Sequence, residues 1–208
     1  MELSKRNLEN KEFFNEKAKD DYDDVHQEFM NTKKALTDSI DIDVKYVVDL
    51  GAGTGLELIE FFKKYPDARV KAIDLSDGML EVLATRPFAN KVDIVCGDFF
   101  EVDFGKDNDV VMSTSALHHF LYEEKLRLYK KIYECLRDGG LFINSDYTAS
   151  SIEEEKQGIY NYEHQINRHN DTPLTVEHEL ELLNQAGFKD IEVGQPEKES
   201  YKLFKARK

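Results

Sequence analysis

Short apolar runs alternate with segments of helical periodicity along most of the chain. The apolar runs lie at 47–50, 70–75, 95–96, 109–113 and 141–143, and polar or glycine-rich turns follow them. Between them, hydrophobic residues recur at helical spacing: Leu58, Ile59 and Phe62; Met79, Leu80, Val82 and Leu83 behind an Asp77 cap; Leu126, Tyr129, Ile132, Tyr133 and Leu136. Such alternation predicts an α/β fold whose parallel sheet carries helices on both faces.

An amphipathic pattern precedes the first strand. Hydrophobic side chains share one face of one or two predicted helices: Phe14, Ala18, Tyr22, Val25 and Phe29. The segment 201–206 is predicted to be the final strand.

The charge of the chain limits its partners. Acidic residues outnumber basic ones by 42 to 28 in 208 residues, which gives a formal net charge of −14. Nucleic-acid backbones are bound through clustered Lys and Arg, so a nucleic-acid partner is disfavoured. The basic residues near the C-terminus are interpreted as a solvated edge strand: Lys202, Lys205, Arg207 and Lys208.

The cysteines and the N-terminal residues indicate the cellular compartment in which the protein is expected. Cys96, in a predicted core strand, and Cys135, on a predicted helix, form neither a disulfide framework nor a zinc signature, so both are predicted to be reduced core residues. We find no apolar stretch typical of a signal peptide or a membrane span. The expectation is a cytoplasmic protein that does not bind membranes.

The segment 47–55 is the most informative part of the chain. A buried strand ends at Asp49-Leu50 and runs into Gly51, Gly53 and Gly55. A dinucleotide fingerprint would place its third glycine at position 56, which is a leucine. Glu57 in the first turn of the next helix would repel a phosphate. The loop therefore favours a nucleoside ligand without phosphates.

Several motifs occur in the order found in one enzyme family. The loop 49–55 is similar to the first motif of the class I S-adenosylmethionine (SAM)-dependent methyltransferases, and a strand end at Asp74-Leu75 follows about 20 residues later. The segments 95–99, 109–119 and 136–143 resemble the next three motifs, and 175–193 resembles the last helix, the Ala-Gly-Phe turn and the sixth strand. The chain is identified as resembling the small-molecule branch of this family.

The resemblance implies a fold. We expect a doubly wound, mostly parallel seven-stranded sheet with an antiparallel last strand inserted between the final two parallel strands. It implies one domain over residues 1–208: an N-terminal helical lid (1–42), a SAM-binding core (43–148), a variable acceptor-side insert (149–174), and the last helix with the terminal strands (175–208).

The resemblance also assigns cofactor contacts. Asp74 is expected to accept the ribose hydroxyl protons and Asp98 the adenine amino group, while Phe99 walls in the ring. Asp49 is expected to orient the glycine loop by accepting backbone N–H bonds. Tyr22 either lies near the methionine end of SAM or packs the lid onto the core. The remaining cofactor contacts predicted are Gly51, Ala52, Gly53, Gly55, Leu75, Ser113 and Thr114.

Candidate acid–base groups and acceptor-binding residues come from two parts of the chain, the end of the fourth strand and the insert 149–174. His118 and His119 follow the fourth strand and are either structural and cofactor-shaping, which we favour, or a general base. They are not predicted to bind a metal, since adjacent residues point apart and no third ligand is spaced with them. In the insert, Tyr160, His164 and Arg168 lie four apart and would share a helical face.

This shared face, together with Tyr147, predicts a pocket for a small acceptor that carries a carboxylate, with His164 as a candidate base. The alternative is an ordinary surface helix.

The predicted function is therefore SAM-dependent methyl transfer to a small molecule. A SAM-using enzyme similar to carboxy-S-adenosylmethionine synthase is an alternative, although that family's glycine loop departs from Gly53-Thr54-Gly55. A nicotinamide oxidoreductase, opposed by Leu56 and Glu57, and a silent SAM-binding module also remain open, as does the choice between monomer and homodimer.

Overall fold

A mixed seven-stranded sheet forms the centre of the molecule. The structure is a computed structural model that describes residues 5–18, 22–166, 171–196 and 199–208. The strands are β1 (Tyr46–Leu50), β2 (Arg69–Asp74), β3 (Val92–Cys96), β4 (Asn108–Thr114), β5 (Leu136–Tyr147), β6 (Lys189–Gly194) and β7 (Tyr201–Arg207). Their order is β3-β2-β1-β4-β5-β7-β6, and only β7 runs antiparallel to its neighbours. The predicted fold class is confirmed.

Helices cover both faces of this sheet. They are α1 (Lys5–Lys17), α2 (Tyr22–Val25), α3 (Met30–Asp38), α4 (Leu56–Lys64), α5 (Asp77–Leu83), α6 (Tyr122–Cys135), α7 (Ile152–Glu163) and α8 (Val176–Ala186). One hydrophobic cluster joins α6 and α8 to the sheet, and a second joins α3, α4 and α5 to its other face. The burial of adjacent residues Val47 and Val48 in different clusters shows that β1 is covered on both sides.

The loop between β1 and α4 turns on glycines in the left-handed region. Gly51, Gly53 and Gly55 have φ of 75°, 51° and 78°. The N–H groups of Gly51 and Ala52 both donate to the Ile73 carbonyl, at 2.8 and 3.2 Å, which fixes the loop to the end of β2. A Cβ on Gly51 would lie 2.3 Å from the Ala116 Cβ, so this position requires glycine on two counts.

Local capping differs from the sequence prediction at α5. The cap is Ser76, whose hydroxyl accepts from the Met79 N–H at 3.1 Å, whereas Asp77 is the first residue of the helix. The prediction of an Asp77 cap was therefore wrong by one residue. Ser is an equally good N-cap, and its position immediately after the end of β2 determines where the helix begins.

Residues of the N-terminal helices line the same cavity as the carboxyl ends of the strands. Lys11 on α1 pairs with Asp77 on α5 at 2.8 Å, and the Asn15 amide donates to the same carboxylate at 3.0 Å. Val25 is 67% exposed, so the prediction that it shares a buried face was wrong. A short 3-10 turn, His26–Phe29, follows α2 and changes the helical phase.

Two further predictions were wrong, because they were made from composition and periodicity, which do not show the strand order. β7 is internal, and Lys205 on it pairs with Asp41 at 2.8 Å instead of protecting an edge. Cys96 is exposed, because β3 is one of the two edge strands of the sheet, whereas Cys135 is buried as expected. Among the described residues, no helix combines the length and apolar character needed to cross a bilayer.

Candidate functional site

A cavity lies at the carboxyl ends of β1, β2 and β4, beneath the N-terminal helices. This is the point where the strand order reverses, at which doubly wound sheets bind their ligands. Residues from α1 to α3, the glycine loop and the ends of β2 and β4 line it: Asn10, Lys11, Phe14, Tyr22, His26, Phe29, Lys33, Gly51, Ala52, Gly53, Thr54, Leu56, Glu57, Asp74, Leu75, Ser76, Met79, Phe99, Thr114, Ser115, Ala116, His119 and Phe120.

Asp74 connects the end of β2 to the glycine loop. Its Oδ2 accepts the Gly53 N–H and its Oδ1 accepts the Ser76 N–H, both at 2.8 Å. Burial raises the pKa of Asp74 although these two N–H groups oppose the rise. Each oxygen retains a lone pair beyond its backbone bond, so the carboxylate at the cavity wall can accept hydroxyl protons of a ligand.

Three buried polar groups sit behind the glycine loop. Glu57 at the start of α4 accepts a 2.9 Å bond from Lys33 on α3, and both residues line the cavity. Asp49 is fully buried, and neither of its oxygens accepts a backbone N–H among the described residues, so its predicted role in orienting the loop was wrong. Burial, together with the charge of Glu57, raises the pKa of Asp49 and favours its neutral form.

The lid is tied directly to the glycine loop. Asp23 on α2 accepts the Thr54 hydroxyl at 2.6 Å and pairs with Arg86. Arg86 also donates from Nε to the Thr54 carbonyl at 2.9 Å. Tyr22 lines the cavity next to this triad, and its ring stacks on His26 with centroids 3.9 Å apart. Burial and nearby carboxylates raise the pKa of Tyr22, so the phenol stays neutral.

Some predicted cofactor residues do not line the cavity. Asp98 accepts the Asn7 amide at 2.5 Å and the Phe100 N–H at 2.9 Å, while Phe99 beside it does line the cavity. Ser113 donates to the Leu50 carbonyl at 2.7 Å and joins β4 to β1. Gly55 faces away, because a Cβ there would lie 2.3 Å from Leu83 on α5.

The two histidines occupy a short 3-10 turn, Leu117–His119, after β4. His118 shares a 2.6 Å hydrogen bond between Nδ1 and Asp146 Oδ1, and its Nε2 lies 3.5 Å from Asp171 Oδ1. His119 lines the cavity, and its Nδ1 lies 3.3 Å from the same Asp171 oxygen. The expectation that the rings point apart was wrong, since their centroids are 4.1 Å apart.

Protonation differs between these two rings. Burial favours neutral His118, but the charges of Asp146 and Asp171 outweigh it and raise its pKa to about 9. Burial and the charge of His118 lower the pKa of His119. Burial alone would raise the pKa of Asp146 and of Asp171, yet the pairing with the histidines lowers both.

Of the predicted acceptor residues, those that the structure describes do not line the cavity. Tyr160 and His164 do lie together, with rings stacked at 3.9 Å, but both are exposed and neither lines the cavity. Tyr147 donates to Glu154 at 2.5 Å, outside the same cavity. Arg168 lies outside the described residues. Helix α7 ends at Glu163, so a helical face could not be extrapolated to position 168.

Sequence reasoning missed several residues that line the cavity or contact its histidines. Asn10, Lys11 and Lys33 come from the lid helices, where a polar residue at one position gives no sign of facing a ligand. Asp171 was missed because it lies 52 positions after His119 and becomes its neighbour only through folding. Asp146 offered one signal, an acid at the end of a predicted strand, as at Asp74.

The cavity fits a nucleoside-containing ligand such as SAM. The Thr114 hydroxyl is buried at the cavity wall and has no hydrogen-bond partner among the described residues. A Cβ built on Gly53 meets only the Gly51 carbonyl, at 3.9 Å, so this glycine leaves the backbone open to close approach. Phe99 and Phe14 provide apolar walls suited to a base and a methionine chain.

Comparisons with known proteins agree with this geometry. A family model described as a methyltransferase domain matches residues 47–140. The carboxy-S-adenosyl-L-methionine synthase of Nautilia profundicola is 28% identical over an alignment that covers 86% of this chain and 88% of that protein.

Solved structures share the fold at lower identity. A putative O-methyltransferase of Nostoc punctiforme superposes with a TM-score of 0.75 at 22% identity, covering 94% of this chain and 60% of that one. Human N-acetylserotonin methyltransferase, solved in complex with SAM, superposes with a TM-score of 0.70 at 19% identity. The match covers 88% of this chain and 53% of the human one. The chain thus spans less than two thirds of the length of these two structures.

In sequence and in fold the chain is similar to class I SAM-dependent methyltransferases, with residues 47–140 matching the methyltransferase-domain model.

Proposed function

We propose that this enzyme transfers the methyl group of SAM to a small-molecule acceptor. The observation that carries the proposal is one cavity that joins the glycine loop and Asp74, at one end, to His119 and Phe120 after β4. The first group suits the nucleoside, and the second is the wall that remains for an acceptor. No basic patch surrounds the cavity among its described lining residues, in which Lys11 and Lys33 each pair with a carboxylate.

The chemistry asks for positioning more than for acid–base catalysis. When bound, SAM supplies an electrophilic methyl group on a sulfonium: a bond forms from the acceptor to the methyl carbon, and the carbon–sulfur bond breaks to give neutral S-adenosylhomocysteine. The protein's contribution is to hold the acceptor in line and to exclude water. The rings of Phe14, Tyr22 and Phe29 would close the cavity from the lid side.

Individual roles follow from position. Asp74 would accept from the ribose hydroxyls, and Phe99 would pack on the adenine. His119 is the titratable ring at the acceptor wall, and His118 would position it through the contact between the two rings. Because Tyr160 and His164 are exposed away from the cavity, the proposal does not include a carboxylate on the acceptor or a base at His164.

A second candidate is modification of SAM itself, as in carboxy-S-adenosyl-L-methionine synthase. The observation that favours it is the extent of the sequence alignment to the Nautilia profundicola protein, which covers 86% of this chain and 88% of that protein. The same cavity would serve both reactions, because both begin with bound SAM.

The test separates these two functions by product. Full-length chain is purified, its retained ligand is weighed by mass spectrometry, and it is then incubated with SAM and a panel of phenols, amines and carboxylic acids. Release of S-adenosylhomocysteine with a methylated acceptor supports methyl transfer. A SAM derivative that is heavier by a carboxyl group, either retained through purification or formed with a carboxylic acid of the panel as the carboxyl donor, supports the second candidate if no S-adenosylhomocysteine is released. Binding of NAD without binding of SAM would contradict both.

A further inference from the structure

Three side chains converge beside the cavity, and one of them, His119, lines it. His118 Nε2 and His119 Nδ1 both face a single oxygen, Asp171 Oδ1, at 3.5 and 3.3 Å. One ligating atom from each residue lies within 4.8 Å of the others. Asp171 is on a different segment from the histidines, and the Thr172 N–H, which donates to the His118 carbonyl at 2.8 Å, holds that segment in place.

The hydrogen bonds of His118 determine which nitrogen faces inward. Asp146 accepts the backbone N–H groups of Leu117 and His118 at 2.9 and 3.0 Å, and its other oxygen lies 2.6 Å from His118 Nδ1. A carboxylate in this position accepts, so Nδ1 carries a hydrogen, while Nε2 faces Asp171 and would release its proton when it binds a metal ion. Histidine ligands of metal ions are characteristically oriented by a carboxylate on their other nitrogen.

His119 gives an independent indication that a further group binds between these side chains. Its Nδ1 is buried and has no hydrogen-bond partner of acceptable geometry among the described residues, although the Asp171 oxygen lies 3.3 Å away. The His119 side chain is only 11% exposed. A buried nitrogen whose nearest partner is a carboxylate oxygen in poor hydrogen-bond geometry is a position that a bound cation would satisfy better.

The spacing matches a metal centre. In a tetrahedral zinc site with bonds of about 2.0–2.1 Å, neighbouring ligand atoms lie about 3.3–3.4 Å apart. The two nitrogen–oxygen distances of 3.3 and 3.5 Å lie close to the edge length of such a tetrahedron. We propose that His118, His119 and Asp171 bind a divalent transition-metal ion of the zinc type, with Asp146 orienting His118.

The donor set selects the metal. Two imidazole nitrogens and one carboxylate favour Zn²⁺ or Co²⁺ over Mg²⁺ and Ca²⁺, which prefer oxygen ligands. Asp171 is 38% exposed and provides an entry path, while His119 lines the cofactor cavity. Three protein ligands leave the fourth position for water or for an oxygen or nitrogen atom of a small molecule in that cavity.

The experiment measures metal binding alone, without SAM or acceptor, so its failure is distinguishable from failure of the proposed methyl transfer. Untagged full-length protein is treated with chelator, dialysed, and titrated with Zn²⁺ by calorimetry and with Co²⁺ by visible absorption. We expect one equivalent of each to bind, with the intense absorption bands of tetrahedral Co²⁺, and Mg²⁺ to give no comparable heat.

Variants distinguish this site from adventitious binding. Asp171→Asn and His119→Gln should each weaken Zn²⁺ binding at least tenfold, and Asp146→Asn about 10- to 100-fold because the orienting carboxylate is lost. His164→Gln, at an exposed histidine outside the cavity, is the matched control and should bind like the wild type. Circular dichroism and thermal unfolding establish that each variant is folded.

Absence of stoichiometric Zn²⁺ binding to the wild type would overturn the proposal. Binding that persists unchanged in folded Asp171→Asn and His119→Gln would overturn it as well. If one of these two variants does not fold, the other decides the outcome on the same criterion.

Discussion

The Gly53 N–H donates a 2.8 Å hydrogen bond to Oδ2 of Asp74, and this bond joins the glycine loop to the second strand. The loop and the carboxylate come from segments 21 positions apart, and they meet because β1 and β2 are parallel neighbours. A change at Asp74 therefore alters both a ligand contact and the support of the loop.

Replacing Asp74 should weaken SAM binding more than it destabilises the fold. Asp74→Asn keeps the shape but loses charge-assisted acceptance, so we expect SAM affinity to fall by one to two decades, about 1.4–2.8 kcal/mol. Calorimetry with SAM and S-adenosylhomocysteine measures the change. Asp93→Asn, at an exposed position on β3, is the control and should bind normally. Equal affinities for both variants would remove Asp74 from the cofactor site.

The binding of SAM should depend on pH through the same carboxylate. Burial raises the pKa of Asp74 above its ordinary value of about 3.9, so the acceptor is lost at a higher pH than for an exposed aspartate. Affinity should fall as the pH decreases through that raised pKa, and Asp74→Asn should abolish this dependence.

The effect of Asp74 on the free energy of unfolding should change with pH in the direction opposite to its effect on SAM affinity. A folded-state pKa above the unfolded value means that the native protein binds more protons there, so this group stabilises the apo protein as pH falls. Titrations of affinity and of the free energy of unfolding over the same pH range test both signs. Affinity that rises on acidification would contradict the proposed contact.

Loss of the contact between the lid and the loop should weaken SAM binding without unfolding the core. Asp23→Asn removes the charge that holds Arg86 and weakens acceptance from Thr54, and we expect roughly a fivefold higher Kd, ~1 kcal/mol. Amides of residues 22–38 should exchange faster than in the wild type when SAM is bound. Asp24→Asn, at the exposed neighbouring position, is the control. If it raises the Kd for SAM as much as Asp23→Asn does, the contact of Asp23 with Thr54 and Arg86 does not contribute to SAM binding.

Alanine substitutions at two glycines with nearly the same φ should separate the cost of backbone strain from the cost of a steric clash. Gly105→Ala, at φ 78° with no heavy atom within 4 Å of the added Cβ, should cost only about 1–2 kcal/mol of stability. Gly51→Ala, at φ 75° and 2.3 Å from the Ala116 Cβ, should cost about 2–5 kcal/mol and reduce SAM binding. Chemical denaturation with calorimetry compares them. Equal costs would show that the loop relaxes around the added methyl group.

The sequence by itself determined the order of elements and the position of the cofactor loop. Strand and helix periods are local properties, and the Gly51-to-Gly55 spacing together with Asp74 identified the ligand class before the strands were placed. Tyr22 and Phe99, which the sequence predicted as cofactor contacts, both line the cavity, and each lies beside a recognisable motif or on an amphipathic face.

Tertiary structure alone decided what surrounds the cofactor loop at its acceptor end. Asp171 and His119 are 52 positions apart, and no periodicity relates them. The same is true of Lys33 and Glu57, which pair across α3 and α4, and of Lys205, whose burial follows from the insertion of β7 between β5 and β6. Local patterns fix which face of an element is apolar, whereas the neighbours of a polar side chain depend on the packing of distant segments, which single-sequence patterns do not encode.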